Sequence, residues 1–141
     1  EIRIAASDTR FQMLEVQRGL YPCAGAPLRL HQEIGWGNAH RLMLTGDPWT
    51  ADDAFRWGMV QEVVEPGEQL AKAMDYAKKA AEGAPLAVQG LLQCTHVAQT
   101  GDMSAARRQM FAGLIPVMKS EDAGEGVRSF LERRKAEFRG R

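Results

Sequence analysis

Cysteine is scarce: Cys23 and Cys94 are the only two in 141 residues. They form no C-x-x-C, and no Cys/His cluster accompanies them, so neither a zinc site nor a disulfide framework is indicated and a reducing compartment is expected. An excess of one charge is missing as well. Eighteen Lys and Arg cancel eighteen Asp and Glu, which removes the basic field that holds nucleic acid or an anionic membrane surface. No apolar run approaches the ~18 residues needed to cross a bilayer, and no basic stretch leads into an apolar one at the start. These absences make a cytoplasmic protein with a small or neutral partner the expectation.

Several chemical signatures are absent too. Gly35-Trp36-Gly37 is not a G-x-G-x-x-G after a strand, and no phosphate-cradling G-x-x-x-x-G-K-[ST] exists. The nucleophile elbow G-x-S-x-G is missing. His31, His40 and His96 stand at spacings that fit no metal motif, so each is read as a surface or packing residue and no metal is expected. Trp36, Trp49 and Trp57 fall near short helices and are read as core or interface anchors.

The chain nevertheless has 45% apolar residues, enough for a real core in one domain's length. Alternating Ile2 and Ile4, followed by Ala5 and Ala6, read as a strand bound for a sheet interior. Only Phe11–Met13 and Met59–Glu65 offer further strand candidates. A lone strand ahead of a mostly helical chain lacks an evident partner, and strands upstream of Glu1 are the expectation that follows.

Beyond Leu28 the punctuation is helical. Pro27 opens a short helix that Gly35 closes, and a second runs from Asn38 to a stop at Gly46. Thr50 with Asp53 three residues later makes a capping box, so a third starts at Ala51 and stops at Gly58. From about Gly67 onward four amphipathic stretches are separated by Gly83–Pro85, Thr100–Asp102 and Lys119–Gly126. Their apolar stripes include Leu70 and Met74, then Leu91 and Cys94, then Met110 and Leu114, then Phe130 and Leu131. Short amphipathic helices of this kind make a poor isolated core and a good assembly surface.

One acid is unusual. Glu15 is the only carboxylate between Phe11 and Leu30, set among apolar residues and followed by a Pro/Gly-containing turn. Desolvation disfavours the charged form of a carboxylate and suits it to moving protons. A surface glutamate at the start of a turn is the plain alternative, and composition alone favours it.

A resemblance carried by ordered motifs around Glu15 reverses that preference. E-I-R-I-A (Glu1–Ala5) is followed by F-x-x-x-E-x-x-x-G-x-x-P (Phe11–Pro22), Arg29-Leu30, Gly35, A-x-x-L-x-L-T-G (Ala39–Gly46) and A-x-x-A-x-x-x-G-x-V (Ala51–Val60). This succession resembles the crotonase, or enoyl-CoA hydratase/isomerase, family, and Ser129–Phe138 looks like that family's closing helix. The resemblance covers essentially the whole chain and implies an α/β crotonase-like fold. Residues 1–66 would be the end of its ββα spiral core, and residues 67–141 its helical oligomerisation region. It also implies that the chain resembles only the C-terminal half of a member.

The resemblance assigns roles. Glu15 would be the catalytic acid/base, moving a proton at carbon of an acyl-CoA thioester whose carbonyl sits in an oxyanion hole of two backbone N–H groups. That hole, and the second glutamate with which hydratases position water, would belong to the N-terminal half. Coenzyme A would enter only as part of the substrate, with no separate cofactor. The family's usual P-G-A-G-G turn is here Pro22-Cys23-Ala24-Gly25-Ala26, so Pro22 and Cys23 are candidate substrate-binding residues, with the Cys23 N–H helping to hold water. A small packing cysteine and a nucleophile are the two other readings of Cys23. Arg133, in the cluster Arg133-Arg134-Lys135, is a candidate for the phosphates of CoA, or else a solvated cation complementing a helix end. The expected partners are the acyl-CoA, an N-terminal half of the same fold, and further copies in a homotrimer or hexamer. A non-catalytic assembly module is the alternative function.

Overall fold

The computed structural model describes all residues, Glu1–Arg141, as two compact units, Glu1–Asp75 and Tyr76–Arg141. In the first, strand β1 (Ile4–Ala6) is followed by β2 (Arg10–Phe11), a 3-10 helix (Glu15–Arg18), α1 (Ala26–Ile34) and α2 (Trp36–Thr45). Strand β3 (Trp49–Thr50), α3 (Ala51–Arg56) and β4 (Glu62–Val64) complete it, and α4 (Gln69–Ala81) crosses the division between the units. The second holds α5 (Pro85–Gln99), α6 (Met103–Met118) and α7 (Glu121–Glu132).

The helix boundaries of the first unit follow local chemistry. Pro27 lies in the first turn of α1 and Gly35 ends it, while Gly46, left-handed at φ 68°, ends α2. Helix α2 begins at Trp36, two residues before the expected start. Leu30 and Ile34 on α1, and Ala39, Leu42 and Met43 on α2, repeat at the three- and four-residue spacing that makes one helix face. These faces meet Ala5, Trp49, Ala51, Ala54 and Val60 in one core, where Leu42 is the largest side chain with no solvent exposure. The α3 capping box is complete: Asp53 N–H donates to Thr50 Oγ1 at 3.1 Å, and Thr50 N–H donates to Asp53 Oδ2 at 3.1 Å.

Two strand expectations are corrected. Strand β1 does have a partner: Ile4, Ala5 and Ala6 pair in parallel with Glu62, Val63 and Val64 of β4. The segment Phe11–Met13 contributes only Phe11 to a strand, because β2 pairs antiparallel with the short β3, Phe11 opposite Trp49. Their rings stack with centroids 5.5 Å apart. The pairing is set by this tertiary contact and not by a run of β-formers.

In the second unit α5 and α6 form an antiparallel hairpin. Gln109 donates to Gln93, the Cys94 thiol lies 3.6 Å from the Ala106 carbonyl, and Gly90 lies beside Val117. Ala106 is the only buried apolar residue of this unit, while Phe111, Ile115, Met118, Phe130 and Leu131 stand in solvent.

Helix α7 overturns two expectations. The segment Lys119–Gly126, read as a separator, becomes helical from Glu121. Ser120 accepts the Ala123 N–H at 3.1 Å, and Glu121 and Asp122 place negative charge in the first turn. Together these outweigh Gly124 and Gly126. The closing helix expected over Ser129–Phe138 instead stops at Glu132, and the last residues turn back along α7. Buried Asp122 accepts the N–H groups of Arg139 and Gly140, each at 2.7 Å, and Glu125 accepts Glu137 N–H at 3.1 Å and Arg134 Nη2 at 3.0 Å. Backbone donors in the tail that a continued helix would have used internally are thus satisfied by two carboxylates of α7.

Thr50→Ala should lower stability by about 1 kcal/mol, seen as a lower denaturant midpoint at unchanged slope; an unmoved midpoint would show that the box contributes nothing. Glu125 carries the pH dependence of the tail. The Arg134 guanidinium, aided by the Glu137 N–H, holds its carboxyl down from the ordinary 4.5 to about 2. The unfolded chain therefore takes up this proton first as pH falls, so the stabilisation is complete above about 4.5 and is lost toward about 2. Glu125→Gln should flatten the acid limb of a stability-against-pH curve in that window, and an unchanged limb would remove Glu125 from the clamp.

Candidate active site

Glu15 heads the 3-10 helix, which two glutamines seat on the C-terminal end of α2. The last carbonyls of a helix lack partners within it, and here Gln17 Nε2 donates to Thr45 O and Gln12 Nε2 to Gly46 O, both at 2.8 Å. Gly46 allows the approach. A Cβ there would lie 2.6 Å from Gln17 Nε2 and 3.0 Å from the Met13 carbonyl, and its positive φ also favours glycine. Gly19, left-handed at φ 76°, ends the 3-10 helix, and Leu20 N–H closes on the Glu15 carbonyl at 2.9 Å.

On this seat the Glu15 side chain is half-buried, and its Oε2 is shut off from solvent with no hydrogen-bond partner in the chain. Buried carboxylate oxygens are costly to leave unpaired. This oxygen is left able to accept a hydrogen bond from a group outside the chain; His31 Nδ1 and Trp49 Nε1 are likewise left without a partner.

The turn that follows presents backbone. Pro22 is buried and Cys23 exposed, with a free thiol. Neither the Cys23 nor the Ala24 N–H is taken up by a backbone hydrogen bond. Gly25, at φ 96°, is the N-cap of α1. Around this turn, Arg29 Nη2 donates to the Ala24 carbonyl at 3.2 Å. At the other end of α1, Glu33 pairs with both terminal nitrogens of Arg3, whose hydrogen bond holds the Glu33 carboxyl below its ordinary value.

Glu15, Pro22 and Cys23 thus lie on consecutive segments of the first unit. Arg133 belongs to the second, as the C-cap of α7 in the left-handed conformation (φ 54°, ψ 40°), the only non-glycine residue with positive φ. Its neighbour Arg134 is committed to Glu125 and Glu132. Of the histidines, His40 stacks on exposed Trp36 at 4.1 Å and His31 meets the same ring edge-on at 5.5 Å. Gln12, Gln17 and Arg29 are the positioning residues that periodicity did not reveal. Gly46 alone, as a helix stop, pointed to a terminus in need of donors.

Comparison with known proteins bears on the family of the chain. Residues 1–141 match the family model described as enoyl-CoA hydratase/isomerase. Enoyl-CoA hydratase EchA19 of Mycobacterium tuberculosis is 34% identical over 141 residues, spanning 100% of this chain and 53% of that protein. Carnitinyl-CoA dehydratase of Salmonella arizonae is 33% identical over 141 residues, with 97% and 54% covered. The crystal structure of a probable enoyl-CoA hydratase/isomerase from Mycobacterium abscessus superposes with a TM-score of 0.92 at 43% identity, covering 100% of this chain and 55% of that one. The chain spans about half the length of the relatives it matches. On its ordered motifs, its fold and these likenesses, the chain belongs to the enoyl-CoA hydratase/isomerase family and shares the crotonase fold of its members over their matched part.

Proposed function

We propose that this chain supplies the acid/base half of an enoyl-CoA hydratase/isomerase-type lyase, with Glu15 moving the proton at carbon of an acyl-CoA thioester. The observation that carries the reading is the buried, unpartnered Oε2 of Glu15 on a rigid seat. A carboxylate oxygen that no group of the chain engages, held on a fixed support, is geometrically available to take or give a proton at a substrate carbon. In hydration, a carboxylate of the N-terminal half takes a proton from water as its oxygen adds at the β-carbon, the electron pair of the double bond moves onto the thioester oxygen as an enolate, and Glu15 in its acid form gives its proton to the α-carbon as that electron pair returns. Stabilising that oxygen is the larger electrostatic contribution, and it falls to the N-terminal half of the fold. Isomerisation needs only removal of a proton at one carbon and return at another, which one carboxylate can do. The names of the relatives, hydratases and dehydratases of CoA esters, favour the lyase.

Pro22 and Cys23 frame the substrate side of the turn, with the Cys23 N–H free to hold the water. Arg133 offers a cation to the CoA phosphates, its side chain standing in solvent at the end of α7. The exposed apolar faces of α5, α6 and α7 support a homotrimer or a dimer of trimers. Assembly alone, with no turnover, is the competing function.

In the intact natural polypeptide, Glu15→Gln should lower turnover of crotonyl-CoA by at least about a hundredfold while leaving CoA-ester affinity in place; full turnover overturns the assignment and leaves the assembly function. Arg133→Ala should raise KM for CoA esters without a matching loss of kcat. Should KM stay fixed while only thermal stability shifts, Arg133 is a helix-end residue and no more.

A further inference from the structure

An arginine in the first turn of a helix stands at the wrong end. The helix dipole is positive there, and a cation is disfavoured by about 0.3–1 kcal/mol. Arg29 occupies this position in α1 and is not drawn off toward an acidic partner by a direct ion pair; its side chain folds backward over the turn that precedes the helix. Nη2 donates to the Ala24 carbonyl at 3.2 Å. Arg29's own backbone N–H donates to the next carbonyl, Gly25 O, at 3.1 Å. One residue therefore grips two consecutive carbonyls of the turn.

The guanidinium also covers Gly25. A Cβ on that residue would meet Arg29 Nη2 at 2.9 Å, Nε at 3.2 Å and Cζ at 3.3 Å, so the guanidinium lies against the bare Cα. Glycine is fitted to the site twice over, by φ 96° and by this approach. Glu33, one turn further along α1, feels the Arg29 charge and is itself tied to Arg3. Arg3 donates in turn to the Met59 carbonyl, so the helix that carries Arg29 is anchored on the β1 side of the unit.

We propose that Arg29 is a positioning residue that locks the Pro22–Gly25 turn, and with it the direction of the Cys23 and Ala24 N–H groups. The proposal rests on the reading of that turn as the substrate side of the Glu15 site. Arg29 does not touch the substrate; it acts through the backbone it holds. The guanidinium lays Nη2, Nε and Cζ against Gly25 while Nη2 reaches Ala24 O, and a lysine, a point charge on a flexible stem, has no such flat group to cover Gly25.

The test uses the intact natural polypeptide and two variants, Arg29→Met and Arg29→Lys. Amide hydrogen exchange at residues 23–26 should speed up in both, with exchange in the core of α2 unchanged. In both, kcat for crotonyl-CoA should fall about tenfold, since small misplacements of a water-holding group are costly, while KM moves little. Wild-type exchange at the turn in Arg29→Met overturns the proposal, as does restoration of exchange and kcat by lysine, which would make the effect one of charge. Loss of turnover in Glu15→Gln with unaltered exchange in Arg29→Met sinks the Arg29 role and keeps the hydratase reading. Faster exchange in Arg29→Met with full turnover in Glu15→Gln keeps the clamp on the turn and sinks the catalytic reading on which its effect on kcat depends.

Discussion

The seat of the 3-10 helix on the end of α2 is the constraint on which the rest of the site depends. Terminal carbonyls of α2 need donors, and Gln12 and Gln17 provide them. Because both flank Glu15 in sequence, satisfying the helix end also fixes where the carboxylate stands. The core then holds α2 in place through Leu42, wholly buried among residues of α1, α3 and the short strands. Position is thus passed from packing to a helix terminus, from there to two side-chain amides, and finally to one acid.

Much of the first unit was legible because its signals are local. Pro27, Gly35, Gly46 and the Thr50–Asp53 box each act within four residues, and each marks a boundary where the sequence placed one, apart from the earlier start of α2 at Trp36. Glu15 stood out as a lone acid, and the ordered motif around it supplied the rest. What stayed hidden depends on distant partners. Strand β3 is two residues long and exists because Trp49 stacks on Phe11. The pairing of β1 with β4 joins segments nearly sixty residues apart. The hydrogen bonds of Gln12, Gln17 and Arg29 run from side chain to backbone, and such bonds leave no periodic trace.

The C-terminal segment was misread for a related reason. Gly124 and Gly126 resemble loop residues until Ser120 and two acids are credited with nucleating the helix. Its end is equally deceptive, since the left-handed position falls on Arg133, where glycine is the usual choice. That conformation costs about 1–2 kcal/mol for a residue with a Cβ. The hydrogen bonds that the returning tail makes with Asp122 and Glu125 offset it.

The distribution of aromatic residues between the two units has a practical consequence. Trp36, Trp49 and Trp57 all fall within Glu1–Asp75, one stacked on an imidazole, one buried against Phe11 and one beneath the Arg41 guanidinium. The unit from Tyr76 onward has no tryptophan but contains the three long helices α5, α6 and α7. Indole emission therefore witnesses the melting of one unit, and the far-ultraviolet helical signal is weighted toward the other. Overlay of the two melting curves tests directly whether the units unfold as a single cooperative body.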